Sequence, residues 1–393
     1  MGISVLVMSR INNIIRRVVF VVIAAFAKLF VHKNKSIHYL KVLILRLDAI
    51  GDAILWLDSA KEYRTLFPSD QYELTLLCSD IWSSIARELP YFDNVISLNK
   101  KLFYNGLSYN FKFLKEIRNA GYDIVINPLY SRDFIFQDTI VWVSGAARRI
   151  GFAGDVSNIR GLERKLSDKW YTELISSRET NLMELERNAE FIRKLGFGNF
   201  RAGMPQLPEI QVSFKLPDTE YFVLFPGASS QGKMWPLANF IEIAKRIHGH
   251  TEWIGAICGG IAEKELGEQI IMNCPDMGLV NFCGETSLIE LAEVIRKARI
   301  LVSNDTSAIH FAAAVATPSV CILGGGHFGR FLPYTVESAD KFTALPKGVF
   351  CKMECFNCNW VCKYEIDKDG HYPCISAVSV DQVWACVKDI ICC

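Results

Sequence analysis

The sequence predicts an α/β fold of two doubly wound, Rossmann-like domains that face a cleft, with a basic amphipathic N-terminal helix and a Cys-rich C-terminal insertion. The chain has 393 residues, half of them hydrophobic, which is long for one core. Apolar runs alternate with amphipathic stretches from Lys41 onward, and this alternation stops at 204–217 before it restarts. We therefore predict an N-terminal segment (1–36), a first domain (37–210), a second domain (211–345) and a Cys-rich segment with a C-terminal helix (346–393).

The first 36 residues combine an apolar run, 18–27, with six basic residues and no acidic residue. On a helix, Arg10, Arg17, Lys28 and Lys35 lie within about 20° of one another, a polar stripe typical of a helix that lies in a membrane surface. A membrane span needs about 20 apolar residues, and Lys28 ends this run. We expect a surface-lying helix, with a short span or uncleaved anchor and a buried or disordered extension as alternatives.

The first domain is predicted from four apolar strands and the helices between them. The predicted strands are 42–47, 74–78, 95–98 and 124–127, and the predicted helices are 54–66, 107–119 and 136–145. A strand, helix, strand order implies a parallel sheet with right-handed crossovers. A helical stretch, 182–195, ends at Gly196 and leads to the Pro-containing linker.

The second domain repeats this pattern. The predicted strands are 221–225, 253–258, 279–282, 300–303 and 319–323, and the predicted helices are 237–248, 262–272, 288–298 and 308–315. The carboxyl ends of parallel strands and the adjoining helix starts form ligand sites in such folds. Catalytic and binding residues are therefore expected at those ends.

The first candidate is a carboxylate that follows the first strand. Gly51 makes the turn there, and Asp52 stands at the start of the next helix, aimed into the predicted cleft. A carboxylate so placed can act as a general base on an acceptor hydroxyl. The alternative is that Asp52 only caps the helix.

The second candidate is the loop 225–236, which follows the first strand of the second domain. Its small hydroxyl residues and Lys233 suit a pyrophosphate. The spacing from Gly227 to Lys233 also fits a P-loop, but Met234 lacks the hydroxyl that would hold magnesium, and Pro236 moves the helix start beyond the lysine. A surface loop with a solvated lysine is the remaining alternative.

The third candidate is the strand-to-helix turn at 303–307. Backbone N–H groups and the helix dipole favour a bound phosphate at such a turn. His310 lies one helical turn further on and can add a hydrogen-bond donor. A simple capping box is the alternative.

Taken together in this order, the three segments resemble glycosyltransferase family 9, the heptosyltransferases that build the lipopolysaccharide core. The matching motifs are 43–46 with 51–52, 226–228 with 233–236, and 304–306 with 310–314. Smaller similarities lie at 259–260 with Glu263, which resembles a nucleotide-side loop, and at 184–196, which resembles an interdomain helix. The resemblance spans roughly 41–330 and implies a GT-B architecture, an ADP-heptose donor, inversion at the anomeric carbon and no catalytic metal.

The resemblance also implies roles for single residues. Asp52 matches the proposed catalytic base, and Lys233 matches the lysine that stabilises the leaving diphosphate. The implied donor-binding positions are Ser229, Ser230, Lys233, Glu263, Asp305, Thr306, Ser307 and His310, and the acceptor-side positions are Arg46 and Gly51. The family commonly has glycine where this chain has Ser307, which leaves another nucleotide sugar open as the donor.

Thirteen cysteines are present, and eight of them fall between Cys351 and Cys393. Five are spaced C-x3-C-x2-C-x3-C-x11-C, with aromatic residues between them; these are Cys351, Cys355, Cys358, Cys362 and Cys374. Four thiolates can hold structural zinc, or iron as in an iron-sulfur cluster. Disulfides and reduced, packed thiols are the alternatives, and the aromatic residues predict a small packed knob.

The predicted function is an inverting, metal-independent glycosyltransferase that moves heptose from ADP-heptose to a lipopolysaccharide-core or related surface glycan. The expected partners are the nucleotide sugar, a lipid-linked glycan and a membrane surface, at the inner face of the bacterial cytoplasmic membrane. A net charge of +1 argues against nucleic acid. The alternatives are a sugar-nucleotide epimerase or hydrolase, a transferase for another nucleotide sugar, and a catalytically dead scaffold.

Overall fold

The computed structural model describes residues 2–33, 39–159, 161–178, 182–336 and 344–392, and the side chains from 16 onward. The predicted stripe residue Lys35 and the side chain of Arg10 lie outside the described residues. The chain divides into two compact units. The first comprises Met1–Ala49, Ser59–Thr180 and Arg187–Phe200, and the second comprises Ile50–Asp58, Asn181–Glu186 and Arg201–Cys393.

The first unit contains six parallel strands in the order β3-β2-β1-β4-β5-β6. These are β1 Leu40–Arg46, β2 Tyr72–Ser79, β3 Asn94–Leu98, β4 Ile124–Asn127, β5 Arg148–Phe152 and β6 Glu173–Ile175. Helices up to the linker are α1 Gly2–Phe30, α2 Ile50–Ala60, α3 Glu62–Leu66, α4 Ser83–Arg87, α5 Lys100–Asn105, α6 Leu107–Ala120, α7 Thr139–Ser144, α8 Gly161–Asp168 and α9 Glu184–Lys194, of which α2 and α9 belong to both units. The central strands are apolar on both faces because helices cover both.

The second unit has the corresponding sheet, in the order β12-β11-β10-β7-β8-β9, again all parallel. Its strands are β7 Tyr221–Phe225, β8 Ile254–Ile257, β9 Val280–Asn281, β10 Leu301–Asn304, β11 Ser319–Ile322 and β12 Lys347–Val349. Its helices are α10 Leu237–Thr251, α11 Lys264–Met272, α12 Leu288–Lys297, α13 Ser307–Ala314, α14 Pro373–Ser376 and α15 Val380–Ile391. Two doubly wound α/β domains, the elements of a GT-B fold, are therefore confirmed.

Several element bounds differ from the sequence prediction. The helix predicted at 54–66 is two helices, α2 and α3, joined at Lys61. The helix predicted at 136–145 begins as a π-helical turn, Phe134–Asp138, before α7. Strands β5, β6 and β12 were not predicted, because they are short and carry charged residues at their starts.

The N-terminal helix α1 packs Phe20, Ala24 and Ala27 into the core of the first unit, and two of its basic residues lie beside this buried stripe. Arg17 forms an ion pair with Glu163, and the ammonium of Lys28 lies 4.7 Å from the centre of the Trp142 ring. Burial there lowers the pKa of Lys28 to about 8. Among the described side chains, from residue 16 onward, the opposite side exposes Val18, Val22, Phe26, Leu29 and Phe30. Within the described part of the chain, no helix is both long and apolar enough to cross a membrane.

The C-terminal segment is part of the second core. Val383 and Val387 of α15 are fully buried in it, together with Ile375 of α14. The indole N–H of Trp235 donates a hydrogen bond to the carbonyl oxygen of Val378 at 2.8 Å. Residues 373–391 therefore complete the domain that carries Lys233.

Candidate active site

Asn304, the last residue of β10, connects two of the segments that the sequence singled out. Its side-chain N–H group donates to the carbonyl oxygens of Pro226, at 2.7 Å, and Gly227, at 3.3 Å. Its side-chain oxygen accepts from the backbone N–H of Trp235 at 3.0 Å. Asn304 is fully buried. These bonds therefore fix both ends of the loop 225–236, which carries Lys233 and is called the lysine loop below, to the turn that starts α13.

The start of α13 is a capped helix N-terminus. Thr306 is the N-cap residue, and its hydroxyl accepts from the N–H of Ala308 at 3.3 Å. The Ser303 hydroxyl lies 3.2 Å from that of Thr306 and supports the cap. Just before it, burial raises the pKa of the Asp305 carboxyl to about 6, although the positive charge of Lys233 opposes the shift. The turn thus combines helix-start N–H groups with a lysine nearby.

Lys233 lies at the end of a short 3-10 turn, Gln231–Lys233, that follows Ser230. Its ammonium donates to the Ser229 hydroxyl at 3.3 Å and lies 4.3 Å from the centre of the Trp360 ring. Partial burial lowers the pKa of this lysine, and the charge of Asp305 raises it. Ser229 and Ser230 are exposed, so a ligand can reach their hydroxyl groups.

His310 is buried within α13 and lies beside the turn that precedes Asp52. One ring nitrogen, Nδ1, is 2.8 Å from the Tyr334 hydroxyl. Burial lowers the pKa of His310 to about 3, so the imidazole is neutral at physiological pH. A Cβ built on Gly51 would lie 3.0 Å from the ring carbon Cδ2 of His310 and 3.7 Å from the Cα of Ser307. Only glycine permits so close an approach without a shift of the ring.

Asp52 is half-buried in the first turn of α2, and the N-cap of that helix is Ala49. A carboxylate in a first turn is stabilised by the helix dipole. Arg46 belongs to the first unit, where its fully buried guanidinium pairs with Asp48 at 2.9 Å and donates to Asn188 at 3.4 Å. These contacts hold the end of β1.

Glu263 closes the other side of the lysine loop. A Cβ on Gly227 would lie 2.5 Å from its Cγ, and one on Gly259 would lie 2.9 Å from its Cβ. The side chain therefore packs between two glycines, one after β7 and one after β8.

Four of the five predicted cysteines surround one small cavity. Cys355, Cys358, Cys362 and Cys374 line it together with Trp360 and Tyr372, and its volume of about 10 Å³ is roughly that of one water molecule. Cys351 is not among the lining residues. These cysteines are free thiols, and no three His, Cys, Asp or Glu side chains in the described ranges are placed so that they could hold a metal ion.

The second unit thus brings together Lys233, Glu263, Asp305, Thr306, Ser307, His310 and Gly51, while Arg46 lies in the first. Sequence reasoning missed three side chains. Asn304 lay within a quoted motif but was not singled out, Tyr334 gave no signal, and Trp360 was seen only as part of a packed knob. The position of Asn304 at a strand end, beside Asp305, was the one signal that could have found it.

Comparisons with known proteins identify the family of this chain. The family model described as glycosyltransferase family 9 (heptosyltransferase) matches residues 110–358. Lipopolysaccharide core heptosyltransferase OpsX of Haemophilus influenzae is 23% identical over 311 residues, which cover 74% of this chain and 81% of that protein.

Solved structures show the same fold. The ADP-heptose lipopolysaccharide heptosyltransferase II of Escherichia coli aligns with a TM-score of 0.67 at 17% identity, over 90% of this chain and 99% of that one. The iron-containing dodecameric glycosyltransferase TibC of enterotoxigenic E. coli aligns with a TM-score of 0.53 at 13% identity, over 92% and 78% of the two chains.

Proposed function

This chain belongs to glycosyltransferase family 9, and from that premise we propose that it transfers heptose from ADP-heptose to a lipopolysaccharide-core acceptor, with inversion and without a catalytic metal. It is a glycosyltransferase; the donor, the acceptor and the residue roles are the proposal. The name of its relative OpsX, a lipopolysaccharide core heptosyltransferase, supports this acceptor class.

The observation that carries the proposal is the set of three hydrogen bonds made by the Asn304 side chain with Pro226, Gly227 and Trp235, called the Asn304 clamp below. It joins the lysine loop to the capped start of α13, so that a positive charge and helix-start N–H groups lie at one place. Departure of the nucleoside diphosphate develops negative charge on its β-phosphate. Lys233 and the N–H groups of α13 stabilise that charge in the transition state, with fixed dipoles and no need for a metal.

Asp52 is the proposed general base. It takes the proton from the acceptor hydroxyl as that oxygen attacks the anomeric carbon, on the face opposite the leaving diphosphate. One bond forms, from the acceptor oxygen to the anomeric carbon, and one breaks, from that carbon to the phosphate oxygen. Gly51 lies against His310. The turn that carries Asp52 therefore lies beside α13, whose start is the proposed donor-binding turn at 303–307.

A donor screen tests the assignment. Purified protein is incubated with a panel of nucleotide sugars, with and without lipopolysaccharide-core acceptor, and mass spectrometry follows released nucleotide and glycosylated product. We expect ADP release from ADP-heptose that depends on acceptor. Acceptor-dependent release from another sugar would overturn the heptose assignment. Conversion or hydrolysis of the donor without acceptor would instead indicate an epimerase or hydrolase.

We also propose that the exposed apolar side of α1 binds an anionic phospholipid surface at the inner face of the cytoplasmic membrane. Phe26 and Phe30 stand out there, with ring centres 4.7 Å apart. Residues 1–33 contain no acidic residue. The neighbouring helix α6 carries Phe111, whose ring is 5.8 Å from that of Phe26, and exposes Lys112 and Lys115 beside a single acidic residue, Glu116. An apolar stripe flanked by positive charge suits an anionic lipid surface.

Vesicle flotation tests this surface. The full chain should float with vesicles that contain phosphatidylglycerol and much less with phosphatidylcholine alone. A Phe26→Asp, Leu29→Asp double variant should stay at the bottom of the gradient, whereas Leu162→Asp, which changes an equally exposed leucine on α8, should float. Equal flotation of the double variant would refute the proposal.

We propose that the small cavity lined by Cys355, Cys358, Cys362 and Cys374 holds a structural zinc or iron ion bound by these four residues. The support is that four thiols line one cavity and that TibC, a protein of the same fold, is iron-containing. The sulfurs would have to move toward the cavity centre, since they are not placed as ligands now. We expect elemental analysis of the purified chain to find one metal per chain, lost in Cys358→Ser. Metal-free protein with titratable thiols, or with disulfides, would refute it.

A further inference from the structure

Trp360 belongs to the Cys-rich segment, yet its ring lies against the ammonium of Lys233 in the lysine loop. The ammonium nitrogen of Lys233 is 4.3 Å from the ring centre, well within the range of a cation–π interaction. A lysine side chain is long and flexible, so its ammonium is otherwise free to take many positions. The ring and the Ser229 hydroxyl together restrict it.

The position of Trp360 is itself tightly determined. A Cβ on Gly324 would lie 2.5 Å from the Trp360 ring, and one on Gly326 would lie 2.3 Å from it. The two glycines follow β11, so the indole packs on bare backbone at a strand end of the sheet. The ring also stacks on Tyr372, with centres 5.9 Å apart and planes 28° from parallel.

The backbone of this segment adopts a conformation that side chains disfavour. Trp360 has a φ of 59°, and Asn357 and Asn359 have φ values of 68° and 52°. Asparagine tolerates this left-handed region, but a bulky residue there is unusual and is held by its surroundings. The holding contacts are present: the N–H groups of Asn357 and Asn359 donate to Gly325, at 2.6 Å, and Gly326, at 3.0 Å.

A second connection joins the same segment to the lysine turn. The N–H of Tyr372 donates to the carbonyl oxygen of Gly232 at 2.9 Å, and a Cβ on Gly232 would lie 2.6 Å from the Tyr372 ring. The Cys-rich segment therefore contacts both the backbone that precedes Lys233 and the ammonium of its side chain.

We propose that Trp360 is a positioning residue for the donor diphosphate, which holds the ammonium of Lys233 where the phosphates bind. This inference rests on the proposed role of Lys233. The ring occupies one side of the ammonium, so its N–H groups remain available to phosphate oxygens. Less side-chain freedom is then lost when the donor binds, and the donor binds more tightly.

The test is a double-mutant cycle on ADP affinity, measured by isothermal titration calorimetry on the full chain. Trp360→Leu should raise the Kd of ADP about 3- to 30-fold, the range expected for a partly desolvated cation–π contact. Trp360→Phe keeps an aromatic ring, so its Kd for ADP should lie between those of the wild type and Trp360→Leu. In a Lys233→Met background, Trp360→Leu should change the Kd by less than about twofold, because its effect passes through the ammonium.

The controls separate positioning from folding. Trp384→Leu, at a half-buried tryptophan of α15 that packs on His250, should leave the Kd of ADP unchanged. Adenosine, which has no phosphate, should bind the wild type and Trp360→Leu equally, and the KM for acceptor should not change. A thermal melt checks that each variant is folded.

The outcomes also distinguish this inference from the proposed function. If Lys233→Met binds ADP as tightly as the wild type does, the role of the lysine is wrong. If Lys233→Met binds ADP weakly while Trp360→Leu has no effect, or has the same effect in both backgrounds, the positioning role of Trp360 is overturned. Weaker binding of adenosine to Trp360→Leu would show a general packing defect and would also overturn it.

Discussion

Replacement of Asn304 by alanine is the sharpest test of how the site is built. The substitution removes the hydrogen bonds to Pro226 and Gly227 and the one from Trp235. It leaves two buried backbone groups without partners, the carbonyl of Pro226 and the N–H of Trp235. An unsatisfied buried group costs about 1–3 kcal/mol, so after relaxation we expect a loss of roughly 2–4 kcal/mol in the free energy of unfolding.

Urea unfolding and a thermal melt measure this loss, and calorimetry with ADP measures the effect on the site. For a domain of this size the loss corresponds to roughly 5–15 °C in Tm. ADP should also bind more weakly, because the lysine loop is no longer fixed to the start of α13. Asn304→Asp keeps an acceptor for the Trp235 N–H but sets a buried carboxylate, which cannot donate, against the carbonyl oxygens of Pro226 and Gly227, so it should lose at least as much stability.

Asn273→Ala is the matched control, since this asparagine is exposed and its side chain donates to the Gln269 carbonyl at 2.8 Å. Its change should stay within about 0.5 kcal/mol. If Asn304→Ala is no less stable than this control, or binds ADP as tightly as the wild type, the clamp does not organise the site.

Three further outcomes follow from the site. Asp52→Asn should lower kcat by about 10²- to 10⁴-fold with an unchanged Kd for ADP; a kcat near that of the wild type would exclude Asp52 as the base. Gly51→Ala should weaken ADP binding, because the new Cβ would lie 3.0 Å from the His310 ring, and unchanged binding in calorimetry would show that the ring moves freely. His310 has a pKa of about 3 in the folded protein and about 6.5 in the unfolded chain. As the pH falls, it is therefore protonated in the unfolded chain before it is protonated in the folded protein, which favours unfolding. Its contribution therefore lowers stability by about 2 kcal/mol between pH 7 and pH 5. His310→Gln should remove this slope in urea titrations at the two pH values; the raised pKa of Asp305 acts in the opposite direction but is common to both proteins. Parallel slopes for the two proteins would contradict the buried, neutral imidazole.

The sequence predicted the parts of the fold in which burial dictates composition. The central strands β1, β2, β7, β10 and β11 are buried along most of their length and mainly apolar because helices cover both faces, and such runs are readable. Strand β5 begins with Arg148 and Arg149 and contains a glycine, and β6 has three residues. Their pairing is decided by neighbouring strands that are far away in sequence, which local composition does not report.

The same reasoning applies to the site. Loops that follow central strands were found because topology brings strand ends to one edge of the sheet. Trp360 could not be found in this way, since its contact with Lys233 depends on packing on Gly324 and Gly326, which are distant from both along the chain. For α1, the basic stripe was visible in the sequence, but which side faces the protein depends on partners such as Glu163 and Trp142.

The burial of α15 in the second core bears on how the protein is made in the cell. A ribosome synthesises the lysine loop long before Val378, which accepts the Trp235 indole bond, and before Val383 and Val387, which fill the core. A nascent chain that has emerged only as far as β11 holds every donor-side motif but exposes the apolar surface that α15 covers. The core of this domain is therefore completed only when α15 has been synthesised, and until then the apolar surface that α15 covers stays exposed.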